Sequence, residues 1–147
     1  MINFTGWCEL KNLQELDLTW NEFQGTIPSC LGNLTSLRLL DLSLNQFTGN
    51  IALSPLASLS SLKYLAFSNN HFQIPLSFRT FANHSKLEFL RGGNNKFTVE
   101  PLLHNWAPKF QLKVFYFRNC TSHKLSLAFP ILVAMEQYKT GNIDLEK

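Results

Sequence analysis

The stretch Leu16-Asp17-Leu18-Thr19-Trp20-Asn21-Glu22-Phe23-Gln24-Gly25-Thr26-Ile27-Pro28-Ser29-Cys30-Leu31-Gly32-Asn33-Leu34 decides how this chain folds. Its opening sets apolar Leu16 and Leu18 between polar Glu15, Asp17 and Thr19, the period-two pattern of a short strand with one buried face. The spacing then returns. Leu16, Leu40, Leu65, Leu90 and Phe115 follow one another at intervals of 24, 25, 25 and 25 residues, and a fixed period of roughly 20 to 50 residues signals a repeat architecture.

In this register the pattern LxxLxLxxN reads Leu13, Leu16, Leu18, Asn21; then Leu37, Leu40, Leu42, Asn45; then Leu62, Leu65, Phe67, Asn70. A fourth copy, Leu87, Leu90, Gly92, Asn95, puts glycine at a core position, and a fifth, Leu112, Phe115, Phe117, Cys120, puts cysteine where asparagine stood. Each copy contributes one short strand, and coils that present the same strand at the same place pair into a parallel sheet with leucines stacked behind it. Asn21, Asn45, Asn70 and Asn95 are expected to form a structural ladder. Their amides and carbonyls can satisfy turn backbone groups that would each cost about 1 to 3 kcal/mol unpaired. Trp7, Leu31, Leu56, Phe81 and Trp106, six residues before each copy's first leucine, are expected to fill the far side of the coil.

The remaining composition narrows the function. The 147 residues make one ordinary domain, and the net charge of +3, from 13 basic and 10 acidic residues, is spread without any like-charge run, so no nucleic-acid partner is expected. The longest uncharged apolar stretch, Leu125 to Met135, is well short of the roughly 18 to 20 residues that span a bilayer. The start, Met1-Ile2-Asn3-Phe4-Thr5, lacks the features of a secretory signal. Cys8, Cys30 and Cys120 have no zinc-ligand spacing. His71, His84, His104 and His123 fall in separate loops, where they are expected to be solvated, and no phosphate-binding or kinase motif occurs. The expectation is therefore no enzyme, no catalytic residue, no metal and no cofactor.

Three columns face away from the core along the strands. One reads Glu15, Leu39, Tyr64, Phe89, Val114, which is apolar for a solvated face; the next reads Asp17, Asp41, Ala66, Arg91, Tyr116; the third reads Thr19, Ser43, Ser68, Gly93, Arg118. Charge changes from acidic to basic along the sheet, and an exposed apolar strip with Tyr and Arg beside it marks an interface. The candidate ligand-binding residues are Asp17, Asp41, Tyr64, Phe89, Arg91, Tyr116 and Arg118. The competing reading is that Tyr64, Phe89 and Val114 merely pack as cross-strand neighbours. Sequons at Asn3, Asn33, Asn83 and Asn119 offer glycosylation sites, with Asn33 and Asn83 at the same offset on the side away from the sheet. Cys8 and Cys30 fall on adjacent coils near equivalent positions, which makes a disulfide feasible in an oxidising compartment.

The first copy resembles the plant-specific leucine-rich repeat, LxLxxNxFxGxIPxxLGNL. Cys8-Glu9-Leu10-Lys11-Asn12-Leu13-Gln14-Glu15-Leu16 and Asn83-His84-Ser85-Lys86-Leu87-Glu88 look like the ectodomains of plant receptor-like proteins, kinase-less cousins of the repeat-bearing receptor kinases. The resemblance covers about residues 3 to 120. It implies an α/β-type leucine-rich repeat solenoid, with a short parallel β-sheet on the concave face and loops, 3-10 turns and short helices on the convex face. It also implies a plasma-membrane protein, facing outside the cell, that recognises a protein or peptide ligand and a co-receptor with a kinase domain in signalling or defence. Two other readings stay open: a soluble inhibitor of a secreted cell-wall hydrolase, and a truncated fragment without function.

Departures accumulate along the chain. Ile51-Ala52 stands where Ile-Pro is expected, Ile74-Pro75 arrives two residues early, and Val99-Glu100-Pro101 is irregular, so the convex side is expected to lose regularity there. A sixth copy would need apolar residues near positions 137, 140 and 142, where Gln137, Thr140 and Asn142 stand. The domain expectation is therefore five repeats over 1–120 and a non-repeat tail over 121–147. That tail is either a partial cap using Phe129, Ile131, Leu132 and Val133 or a truncated end, with truncation preferred.

Overall fold

The structure, a computed structural model, describes residues 4–75, 77–98, 109–120 and 143–144. Its strands are β1 (Glu15–Asp17), β2 (Gln24–Gly25), β3 (Leu39–Asp41), β4 (Gln46–Asn50), β5 (Tyr64–Ala66), β6 (His71–Pro75), β7 (Phe89–Arg91), β8 (Lys96–Thr98), β9 (Val114–Tyr116) and β10 (Ile143–Asp144). One long sheet takes the order β1-β3-β5-β7-β9-β10 and a second sheet takes β2-β4-β6-β8. All pairings are parallel. Trp106, His104, His123, Asn3 and the tail apolar residues Phe129, Ile131, Leu132 and Val133 lie outside the described residues.

The long sheet follows the repeat. Leu16 pairs with Leu40, Leu40 with Leu65, Leu65 with Leu90 and Leu90 with Phe115. Leu40, Leu65 and Leu90 are wholly buried, as are Leu37, Leu62 and Leu87 in the preceding column. Full burial of one such side chain is worth about 1.5 to 3 kcal/mol, and stacking repeats it coil after coil. On the far side, 3-10 helices at Ser29–Asn33, Pro55–Ser58 and Arg79–Phe81 turn Leu31, Leu56 and Phe81 inward. The first helix, Phe4–Glu9, brings half-buried Trp7 edge-on to Phe23, centroids 5.7 Å apart.

Between the sheets runs the asparagine ladder. Asn45 Nδ2 donates to the carbonyls of Leu18 (2.8 Å) and Leu42 (3.1 Å), while its Oδ1 accepts from Phe23 N (3.1 Å). Asn70 repeats the arrangement with Leu42 O, Phe67 O and Phe47 N, and Asn95 with Phe67 O, Gly92 O and Phe72 N. Asn21 lies on the first described coil. It is exposed and donates within its own turn to Leu18 O and Thr19 O. Cys120 takes the fifth position with Sγ 3.6 Å from Gly92 O, and burial pushes its thiol above the usual range.

Gly92 interrupts a column of large residues, Leu18, Leu42, Phe67, Gly92, Phe117, for a steric reason. A Cβ there would lie 2.3 Å from a ring carbon of Phe117 and 2.5 Å from one of Phe67. The two rings meet edge to face across the glycine, centroids 6.0 Å apart.

Two features add to or differ from the sequence expectations. Beside the loops, 3-10 turns and short helices expected on the convex face, the chain stays extended after the ladder residues and forms a second sheet. Phe23, Phe47 and Phe72 stack beneath it at 5.8 and 6.0 Å. The departures around Ile51 and Ile74 do not break it. β4 and β6 are its longest strands, both isoleucines are about 1% exposed, and Ile74 sits opposite Phe97.

His84 is not solvated. It has no exposed surface, because it occupies the position of Leu34 and Leu59 in the two preceding coils, which are buried to the same degree. Within the tail expected over 121–147, β10 pairs Ile143 with Phe115 and Asp144 with Tyr116. A 25-residue period falls on Thr140, whereas this strand begins 28 residues after Phe115, so the long sheet continues past residue 120.

Candidate binding face

Each of β1, β3, β5, β7 and β9 sends its middle residue inward and its flanking residues outward, so strand register alone builds the outer face. Glu15, Leu39, Tyr64, Phe89 and Val114 are direct partners across five strands, and so are Asp17, Asp41, Ala66, Arg91 and Tyr116. Leu39, Tyr64, Phe89 and Val114 are half-buried rather than covered. The Tyr64 and Phe89 rings lie 6.0 Å apart and tilted by 36°. They do pack on one another, and they leave an apolar strip open along the sheet.

The strip is bordered by charge of two signs. At the first two coils, Thr19 N donates to Asp17 Oδ1 and Ser43 N to Asp41 Oδ1, each at 2.9 Å. The Thr19 N–H holds the Asp17 carboxyl below its ordinary value. Burial, helped by the Asp41 carboxylate, pushes the Tyr64 hydroxyl up, so it is a neutral donor at physiological pH. At the fourth and fifth coils stand exposed Arg91 and half-buried Arg118, whose guanidinium carbon lies 5.5 Å from the Tyr116 ring centroid. Tyr116 lies across Gly93, where a Cβ would meet it at 3.3 Å. The register therefore brings Tyr64, Phe89, Asp41 and Arg91 together, with Asp17 and the Tyr116–Arg118 pair at opposite ends.

The other candidate residues are placed as follows. Asn33 closes the 3-10 helix Ser29–Asn33 and Asn83 follows Arg79–Phe81; both are exposed and lie away from the long sheet. Asn119 is exposed at the end of the last described coil. Cys8 and Cys30 form a disulfide with Cα atoms 5.5 Å apart. His71 is exposed on β6.

One feature escaped the sequence reading. A polar groove of about 480 Å³ opens beside the starts of the long-sheet strands, lined by Arg38, Lys63 and Lys86 with Thr35, Ser36 and Ser61. Reading the column just before each strand, Gln14, Arg38, Lys63, Glu88, Lys113, would have exposed it; its last two members form an ion pair at 2.7 Å.

Stacked coils, parallel sheet and ladder define a repeat protein of the solenoid class. Leucine-rich repeat family profiles match residues 12–34 and 33–54, and the chain belongs to the leucine-rich repeat proteins. Its relatives include plant receptor-like proteins. It is 37% identical over 128 residues to Receptor-like protein 1 of Arabidopsis thaliana, covering 86% of this chain and 12% of that protein. It is 64% identical over 47 residues to Cuscuta receptor 1 of Solanum lycopersicum, covering 32% and 4%. Among solved structures, the ectodomain of the receptor kinase SOBIR1 from Arabidopsis thaliana superposes with a TM-score of 0.53 at 36% identity, over 65% of this chain and 51% of that one. The chain thus spans 4% to 12% of the length of these two curated relatives. Among the described residues no helix is long and apolar enough to cross a membrane.

Proposed function

We propose that this chain supplies a recognition face of a plant cell-surface leucine-rich repeat receptor-like protein, which binds a protein or peptide ligand across the long sheet. The observation that carries this is the half-buried strip Leu39, Tyr64, Phe89, Val114, continuous over four coils and bordered by acids at one end and arginines at the other. An extended segment is the natural occupant. It would lay apolar side chains along the strip and place charges at the two ends, and the aromatic rings of Tyr64 and Phe89 at its centre provide the anchors. No bond-making step is assigned to the face. Signalling or defence output would come from a kinase-bearing co-receptor, and the working location is the outer face of the plasma membrane, a reading supported by the similarity to Receptor-like protein 1.

The test is selection of binders from a displayed library of random twelve-residue peptides on the full chain. Binding by the selected peptides should fall about tenfold or more in the double variant Tyr64→Ala, Phe89→Ser, the loss expected of a truncated anchor pair. A thermal melt checks that the variant stays folded. Binders indifferent to this variant, or none at all, would contradict the reading.

A further inference from the structure

The turn that follows each of β1, β3, β5, β7 and β9 holds the residue at the same repeat position in the left-handed region, coil after coil: Trp20 (φ 55°), Leu44 (58°), Asn69 (55°), Asn94 (54°) and Asn119 (53°). Asparagine tolerates this conformation and is enriched in it, whereas a bulky side chain there is an outlier. In the later coils the asparagines also gain a contact, since Asn94 Nδ2 donates to Asn69 Oδ1. Trp20 gains nothing comparable. Its indole is 80% exposed, so the residue brings the fold neither an easy backbone conformation nor burial. By stability alone asparagine is the better choice at position 20, and a strained position kept with an exposed aromatic points to a use outside the fold.

The surroundings specify that use. Glu15, Asp17 and Glu22 on the same coil are exposed, and Asp41 is paired with Asp17 on the next. Among the described residues none of the four acids forms an ion pair, while Glu88 does, with Lys113. Backbone N–H groups fix one oxygen of Asp17 and one of Asp41, so these carboxylates are ordered before any ligand arrives. An indole face attracts a cation, and a guanidinium can lie flat on the ring while its N–H fork meets a carboxylate.

We propose that Trp20, Asp17 and Asp41 form the docking point for a basic side chain, arginine above lysine, of a protein partner. This rests on the recognition reading above and gives it a direction: the partner's basic end lies at the first coil, its acidic end towards Arg91 and Arg118.

Peptides selected on the full chain from the twelve-residue library test this separately from the face itself. They are expected to carry arginine or lysine, and to bind Trp20→Asn and, independently, Asp17→Asn about tenfold more weakly, the size of a desolvated cation–aromatic or charge contact. Trp20→Asn should at the same time raise the melting temperature. Binders that depend on Phe89 but not on Trp20 or Asp17 leave the recognition face standing and overturn this docking point. So do binders rich in acidic residues alone, or a fall in melting temperature with Trp20→Asn, which would make Trp20 structural. Binders that depend on neither site, or no binders, overturn both.

Discussion

Asn70 shows how much of this fold rests on single polar side chains. Its amide serves carbonyls of two coils and its oxygen takes Phe47 N, all in the interior. In Asn70→Ala these groups lose their partner with no water to replace it, at a cost of about 3 kcal/mol or more. Chemical denaturation should show that loss, while Asn21→Ala, at the exposed end of the ladder, costs less than about 1 kcal/mol.

His84 makes the second residue-scale prediction. Its Nε2–H donates to Leu56 O at 3.0 Å, which leaves Nδ1 unprotonated and, buried, without a partner. Burial lowers its pKa below the ordinary 6.5. Below that value the unfolded chain takes up a proton that the folded chain refuses. The stability contributed by neutral His84 is therefore complete above pH 6.5 and declines as pH falls towards the lowered folded value. The slope from this group is at most about 1.4 kcal/mol per pH unit. Melts from pH 7.5 to 5 should show the decline and its reduction in His84→Leu, the residue that fills this position at Leu34 and Leu59; an unchanged slope would contradict the assignment.

At the scale of elements, what the sequence made legible depends on the range of the signal. β1, β3, β5, β7, β9 and the ladder follow from alternation within a coil and a fixed period between coils, and Leu16, Leu40, Leu65 and Leu90 stand in register. The second sheet was not legible. Strands such as Gln24–Gly25 and Lys96–Thr98 are two and three residues long and held by backbone bonds between coils, which leave little mark on side-chain pattern. The apolar strip could be read from the columns, but the left-handed turn at Trp20 could not, because tryptophan gives no hint of such a backbone. His84 could have been read: the repeat that places Leu34 and Leu59 inside places it there too.

The Cys8–Cys30 disulfide ties the 3-10 helix Phe4–Glu9 to Ser29–Asn33 across a separation of 22 residues. Closing a loop of that size restricts the unfolded chain by about 3 kcal/mol in the chain-entropy account. Cys8→Ser, Cys30→Ser should lose roughly that much in denaturant melts. The loss should appear as earlier opening of the first coil in hydrogen exchange, with the coils around Asn70 less affected. Equal protection with and without the disulfide would contradict this.

For the whole molecule, stacking gives each coil the same backbone and leaves the outward columns free to vary, so fold and recognition are written in different residues of the same strands. Leu40, Leu65 and Leu90 set the coil, while their outward neighbours Leu39, Tyr64, Phe89, Asp41 and Arg91 form the face proposed for recognition. The most direct test replaces Phe89, on the face, and separately Leu53, 87% exposed on the opposite side, with a photoreactive benzoyl-phenylalanine. Each chain is then irradiated with the library-selected peptides. The account predicts a covalent adduct from position 89 and none from position 53. Adducts from position 53 alone would place recognition on the other side of the solenoid and contradict it.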